Sequence, residues 1–129
     1  MTSILIVDDD PISVALVEGI LEADGYHTRS AAGPAQALTI LRTWTPDAIL
    51  LDMQLRGLDD GLEFARRLKA NVATRRTPVI AFTAYGDRWT EVETRAAGCN
   101  GYLEKPITER MLTEAIRQTL ETGREGRGG

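Results

Sequence analysis

Short apolar runs alternate with helix-period segments along most of this chain, and that alternation limits its fold more than any other feature. Ile4-Leu5-Ile6-Val7 is β-branched and closed by acids, which suits a strand buried on both faces. Asp10-Pro11 then supplies an N-cap and a proline at the first helical position, so a helix is expected to about Asp24, stopped by Gly25. Tyr26 to Ala31 reads as a more polar edge strand, and Gly33-Pro34 opens a helix to about Trp44 that Pro46 ends. Asp47 to Asp52 is a buried strand, and Gly61 to Ala70 is a helix with Leu62, Ala65 and Leu68 at core spacing. Pro78 to Phe82 forms a fourth strand, and Asp87 to Ala97 a fourth helix stopped by Gly98. Asn100 to Glu104 is a short fifth strand interrupted by Lys105-Pro106, and Thr108 caps a last helix to about Glu121. Strands and helices taken in turn predict an α/β fold, with a parallel sheet covered on both faces.

A length of 129 residues leaves room for a single domain, expected over residues 1–122. The segment from Gly123 to Gly129 has no apolar side chain and reads as a disordered Gly/Arg tail. The lone cysteine, Cys99, excludes an internal disulfide, and the lone histidine, His27, excludes a His-rich metal centre. No apolar run approaches the ~20 residues of a membrane span and no signal peptide opens the chain, so a cytoplasmic location is expected. A net charge of −4 argues against direct nucleic-acid binding. Of the 15 basic residues only Lys69 and Lys105 are lysine, so a lysine at a special position invites a chemical reason.

In an open α/β sheet, ligands bind outside the carboxyl ends of the strands. Asp8, Asp9 and Asp10 follow the first strand, Asp52 ends the third, Thr83 follows the fourth and Lys105 the fifth. Asp10 is explained as the helix cap, but a single cap leaves Asp8 and Asp9 unexplained, and no helix starts directly after Asp52. If strands one and three are neighbours, Asp8, Asp9 and Asp52 converge. Clustered carboxylates resist ionising together, and a hard divalent cation relieves the conflict. Mg²⁺ suits such a site, with one or two carboxylates, waters and a phosphate oxygen as ligands. Acids beside a lysine and a hydroxyl therefore point to phosphoryl chemistry.

Ile4 to Asp9, Leu50-Leu51-Asp52, Phe82-Thr83-Ala84 and Lys105-Pro106, taken together and in this order, resemble the receiver domain of bacterial two-component response regulators. The likeness runs from about residue 4 to 121. It implies a doubly wound, flavodoxin-like sheet of five parallel strands in the order 2-1-3-4-5. It also implies a signalling module rather than an enzyme, acting in a two-component system or phosphorelay. Asp52 would be the phosphoacceptor, taking a phosphoryl group from a sensor histidine kinase or histidine phosphotransfer protein. Asp8, Asp9, Asp52 and the backbone carbonyl of Gln54 would hold Mg²⁺. Thr83 and Lys105 would contact the phosphoryl group, with Ala84 leaving the approach open. Tyr102 would be a switch aromatic coupled to Thr83, and the Lys105-Pro106 bond would be cis. The phosphorylated form would act on a downstream protein target or relay the phosphate, as a monomer or weak dimer.

The chain departs from the family pattern after Asp52. Arg56 stands where a proline is usual, and Gly61 lies one position later than the usual glycine, with Asp59-Asp60 marking the extra residue. Tyr85 is bulky at a position able to shield an aspartyl phosphate from water. Trp89 falls on the fourth helix, which in this family belongs to the output surface. Cys99 reads as a small buried hydrophobe, and His27 as an edge-strand residue without partner ligands. Two other readings stand beside the leading one: a phosphorylation-independent scaffold, and a receiver cut from a larger regulator or hybrid kinase. A phosphohydrolase is disfavoured, because Gln54 and Leu55 offer no second acid after the nucleophile.

Overall fold

The computed structural model describes residues 1–54, 61–84 and 91–128. Five parallel strands form one sheet in the order β2-β1-β3-β4-β5: β1 (Ser3–Val7), β2 (His27–Ala31), β3 (Ala48–Asp52), β4 (Val79–Ala84) and β5 (Gly101–Lys105). The intervening helices are α1 (Pro11–Ala23), α2 (Pro34–Leu41), α3 (Gly61–Ala70), α4 (Glu91–Ala96) and α5 (Glu109–Gly128). This is the α/β parallel sheet covered on both faces that the sequence pattern predicts, in the strand order that the family resemblance implies.

Successive residues of a strand face opposite sides of the sheet, and here that alternation makes two cores from the same apolar runs. Leu5, Val7, Ile49, Leu51, Val79 and Ala81 pack with Ala37, Phe64, Ala65 and Leu68 of α2 and α3. Ile4, Ile6, Leu50, Ile80 and Phe82 pack on the other side with Val17 and Leu21 of α1 and Leu112 and Ile116 of α5. Each fully buried aliphatic side chain contributes roughly 1.5–3 kcal/mol, which is why the central strands need be apolar at every position.

Local signals set the helix ends. The Asp10 carboxylate accepts the Ile12 N–H at 3.0 Å, with Pro11 at the first helical position, and Gly25 leaves α1 at a φ of +90°. The Thr108 hydroxyl accepts the Met111 N–H at 3.1 Å at the start of α5. Two helix ends differ from expectation by more than a residue, and the expected start of the fourth helix at Asp87 lies outside the described residues. Helix α2 ends at Leu41, so Trp44 lies beyond it and packs over edge strand β2, with the Arg29 guanidinium 5.1 Å from the indole centroid and the His27 ring edge-on at 6.1 Å. The backbone of α5 continues to Gly128 rather than ending near residue 122, where the disordered tail was expected. No proline interrupts this stretch, and each further residue of a formed helix adds a backbone bond.

Lys69, one of the two lysines, has a structural task. Its ammonium donates to the Thr77 carbonyl at 2.8 Å and to Asn100 Oδ1 at 3.0 Å, tying the end of α3 to the segments entering β4 and β5. An ammonium with three donors on a flexible stem suits this cluster of oxygens. Cys99 is buried beside it, and burial pushes its thiol up to about 11, so it behaves as the expected small hydrophobe.

Gly61 brings the start of α3 tightly against the carboxyl end of β3. A Cβ there would lie 2.5 Å from Met53 Cα and 2.6 Å from the Asp52 carbonyl oxygen, and the Gly61 N–H donates to the Met53 carbonyl at 3.0 Å. Backbone atoms of a central strand cannot yield as a side chain would. Gly61→Ala is therefore expected to lower unfolding free energy by about 1–3 kcal/mol in urea titrations, the usual cost of forced overpacking; a variant as stable as the parent would show that β3 gives way freely.

Candidate functional site

Parallel strands with a common direction deliver their last residues to one edge. Asp8 lies just beyond β1, with its N–H donating to the Ala31 carbonyl at 3.0 Å, and Asp52 closes β3 beside it. Asp8 and Asp52 are buried, Asp9 is half-buried, and oxygens of all three come within 4.8 Å of one another. Backbone amides fix the two buried acids: Asp10 N–H donates to Asp8 Oδ1 and Gln54 N–H to Asp52 Oδ1, each at 2.9 Å. These short turns hold the remaining oxygens toward the shared volume.

Lys105, the last residue of β5, completes the edge. Its ammonium stands 3.6 Å from Asp52 Oδ2 and 3.9 Å from Asp8 Oδ2, and 4.7 Å from the centroid of the Phe82 ring. The aromatic face steadies the cation while leaving its hydrogens free for oxygen partners. The Lys105-Pro106 peptide is cis. A cleft of about 370 Å³ opens next to the acids, lined by Asp8, Asp9, Pro11, Val14, Ser30 and Gln36 among others.

The charge balance is unequal. Burial chiefly pushes the Asp52 carboxyl up to about 6, and the Asp8 carboxyl adds to this, against the opposing pull of the Gln54 N–H and of Lys105. One lysine does not offset the acids. The donor set consists of oxygens alone, with no thiolate and no imidazole, which is the chemistry of a hard divalent cation. The three carboxylates thus fit a metal of the Mg²⁺ class.

Thr83 and Tyr102 meet on the other side of the sheet. Thr83 is buried within β4, and its hydroxyl lies 3.4 Å from the Tyr102 hydroxyl, which donates to Glu104 at 2.8 Å. Both β4 and β5 run further than the sequence suggested, to Ala84 and Lys105, so Thr83 pairs in register with Glu104 inside the ladder.

The model of the family described as response regulator receiver domain matches residues 4–117 of this chain. The chain belongs to the response regulator receiver family. Among its relatives, the polar-differentiation response regulator DivK of Brucella ovis is 36% identical over 118 residues, covering 92% of this chain and 95% of DivK. A response regulator from Chloroflexus aurantiacus superposes with a TM-score of 0.87 at 32% identity, over 93% of this chain and 98% of that one. The receiver domain of the sensor histidine kinase PA1611 from Pseudomonas aeruginosa superposes with a TM-score of 0.82 at 32% identity, over 93% and 98%. That domain was solved with a magnesium ion coordinated in its active site cleft.

The receiver fold therefore brings Asp8, Asp9, Asp52 and Lys105 together at one edge and sets Thr83 and Tyr102 behind them. Gln54 is exposed and contributes its N–H to Asp52. Arg56, Asp59, Asp60, Tyr85 and Trp89 lie outside the described residues. Sequence reasoning missed Phe82 and Glu104. The cue for Phe82 was an aromatic on the same sheet face as Asp52, and the cue for Glu104 was an acid two residues after Tyr102, hence on its face.

The raised Asp52 carboxyl has a consequence for stability in metal-free protein. Its folded pKa of about 6 exceeds the ordinary value of 3.8, so the fold favours the protonated acid. That contribution is present below about pH 4 and is lost as pH rises through about 6. In chelator, wild type is expected to lose on the order of 2–3 kcal/mol relative to Asp52→Asn between pH 4 and 7, read from paired urea titrations; parallel pH profiles would contradict the assignment.

Proposed function

We propose that this receiver takes a phosphoryl group from a phosphohistidine onto Asp52 and thereby switches its binding to a protein partner or passes the phosphate on. The observation that carries this reading is the Asp52 carboxylate, with Oδ1 held by the Gln54 N–H and Oδ2 facing Lys105 at 3.6 Å. Phosphoryl transfer asks little covalent chemistry of a protein beyond placing a nucleophile and neutralising charge. An Asp52 oxygen forms the new bond to phosphorus as the P–N bond breaks, and the imidazole nitrogen keeps the bonding pair. Lys105 is within reach of an equatorial oxygen of the transferring group. Thr83 would donate its hydroxyl to another, after turning from Tyr102.

Asp8, Asp9 and Asp52, with the backbone carbonyl of Gln54, would hold Mg²⁺. When bound, the cation would supply positive charge to offset the acids and the phosphoryl oxygens. Backbone amides anchor one oxygen of Asp8 and one of Asp52 and so shape the site ahead of the cation. The donor would be a sensor histidine kinase or histidine phosphotransfer protein, whose phosphohistidine must reach this edge past the start of α1. Ile12 and Leu16 there are 80% and 59% exposed, an apolar rim beside the acids for that protein to cover. No helix among the described residues is long and apolar enough to cross a membrane, and a cytoplasmic location accords with such a donor.

Incubation with a small acyl phosphate and Mg²⁺, followed by intact mass, is expected to show one added phosphoryl group. Asp52→Asn should take up none, Lys105→Ala should slow uptake by about 100-fold, and chelator should suppress it. Uptake that persists in Asp52→Asn, or is indifferent to chelator, would refute the reading.

A further inference from the structure

The pleat of β5 sends neighbouring residues to opposite tasks. Lys105 faces the acids, whereas Tyr102 and Glu104, two residues apart, share the face that Thr83 occupies on β4. The ladder pairs Thr83 with Glu104 and Ala81 with Tyr102, so the tyrosine and the glutamate lie along one line beside the threonine.

The direction of the hydrogen bonds follows from counting protons. A carboxylate only accepts, and each hydroxyl has a single proton to give. Tyr102 spends its proton on Glu104 Oε1 at 2.8 Å, so in the 3.4 Å contact with Thr83 it can only accept, and Thr83 is the donor. The relay therefore runs from Thr83 to Tyr102 to Glu104, away from the acids.

We propose that Glu104 is a positioning residue: its carboxylate captures the Tyr102 hydroxyl, holds the phenol ring against Thr83 and fixes the direction of this relay. The proposal rests on the reading of Thr83 as a phosphoryl ligand. For that task the Thr83 hydroxyl must turn from Tyr102 toward the phosphoryl group. Tyr102 then keeps the shorter, charge-assisted bond to Glu104, so the turn strands no hydroxyl without a partner. In the resting protein the same bond keeps the ring in place beside the threonine before any phosphoryl group arrives.

The environment of the phenol agrees with this arrangement. Burial raises the Tyr102 hydroxyl above the ordinary tyrosine value and the Thr83 bond opposes the rise; the bond to Glu104 and the charges of Glu104 and of Glu91 on α4 add to it. Glu104 is exposed, so its replacement leaves the core intact.

The test uses unphosphorylated full-length protein carrying ¹³C-labelled tyrosine, with Tyr102→Phe to assign the resonances. In Glu104→Ala the Tyr102 titration midpoint is expected to fall and its ring resonances to shift as the ring loses its anchor. In Glu104→Gln the amide oxygen still accepts the phenol, so the ring resonances should stay near their wild-type positions while the midpoint falls with the lost charge. A purely structural glutamate would not separate the two readouts. An unchanged midpoint in both variants, or unmoved ring resonances in Glu104→Ala, would overturn the proposal. Because no phosphodonor is present, that failure is distinct from a failure of Asp52 to accept phosphate.

Discussion

The two-residue alternation of parallel strands governs both the stability and the chemistry of this molecule. Within the sheet it splits one set of apolar runs into two cores, Leu5 and Val7 on the side of α2 and α3, Ile4 and Ile6 on the side of α1 and α5. At the carboxyl edge the same geometry continues into polar residues. Asp52 and Lys105 arrive on the side of Phe82, and Thr83 arrives on the opposite side with Tyr102. A site with two chambers, acids in one and hydroxyls in the other, needs no special loop to build it. It follows from strands that end together while their pleat persists.

Electrostatics then decides what the edge can be. Asp8, Asp9 and Asp52 lie within 4.8 Å, and burial raises Asp52 to about 6 despite the lysine at 3.6 Å. Water would relieve such repulsion, but the apolar strands that fix the acids also keep water from two of them. The arrangement is tolerable because backbone amides hold one oxygen of each buried acid and the Lys105 ammonium faces the other. Strain of this kind is what makes the edge receptive to positive charge from outside.

Much of this was legible in the sequence because the signals are local. Ile4 to Val7 and Ala48 to Leu51 could be read as buried strands from their own composition, and Asp10-Pro11 and Gly25 mark α1 without reference to the rest of the fold. The acids and Lys105 were legible because strand ends are where such sheets place function. What escaped depends on partners distant in the chain. Trp44 looked like the end of a helix because its contacts with His27 and Arg29 lie across a strand edge. Glu104 was read only as the end of the fifth strand: the two-residue spacing places it on the face of Tyr102, but its pairing with Thr83 depends on the register between β4 and β5.

The charge order at the end of β5 also bears on how faithfully the sheet assembles. Edge strands slip more easily than central ones, since only one neighbour holds them. Here a slip of one residue would turn Lys105 away from the acids and aim Glu104 at Asp8 and Asp52, adding a further carboxylate to a place already crowded with them. The same slip would carry Tyr102 off its line with Thr83. Misalignment thus replaces an attraction with a repulsion at the very edge where the strand ends. Glu104-Lys105 is a two-letter key that accepts one alignment of the outer strand and rejects its neighbours.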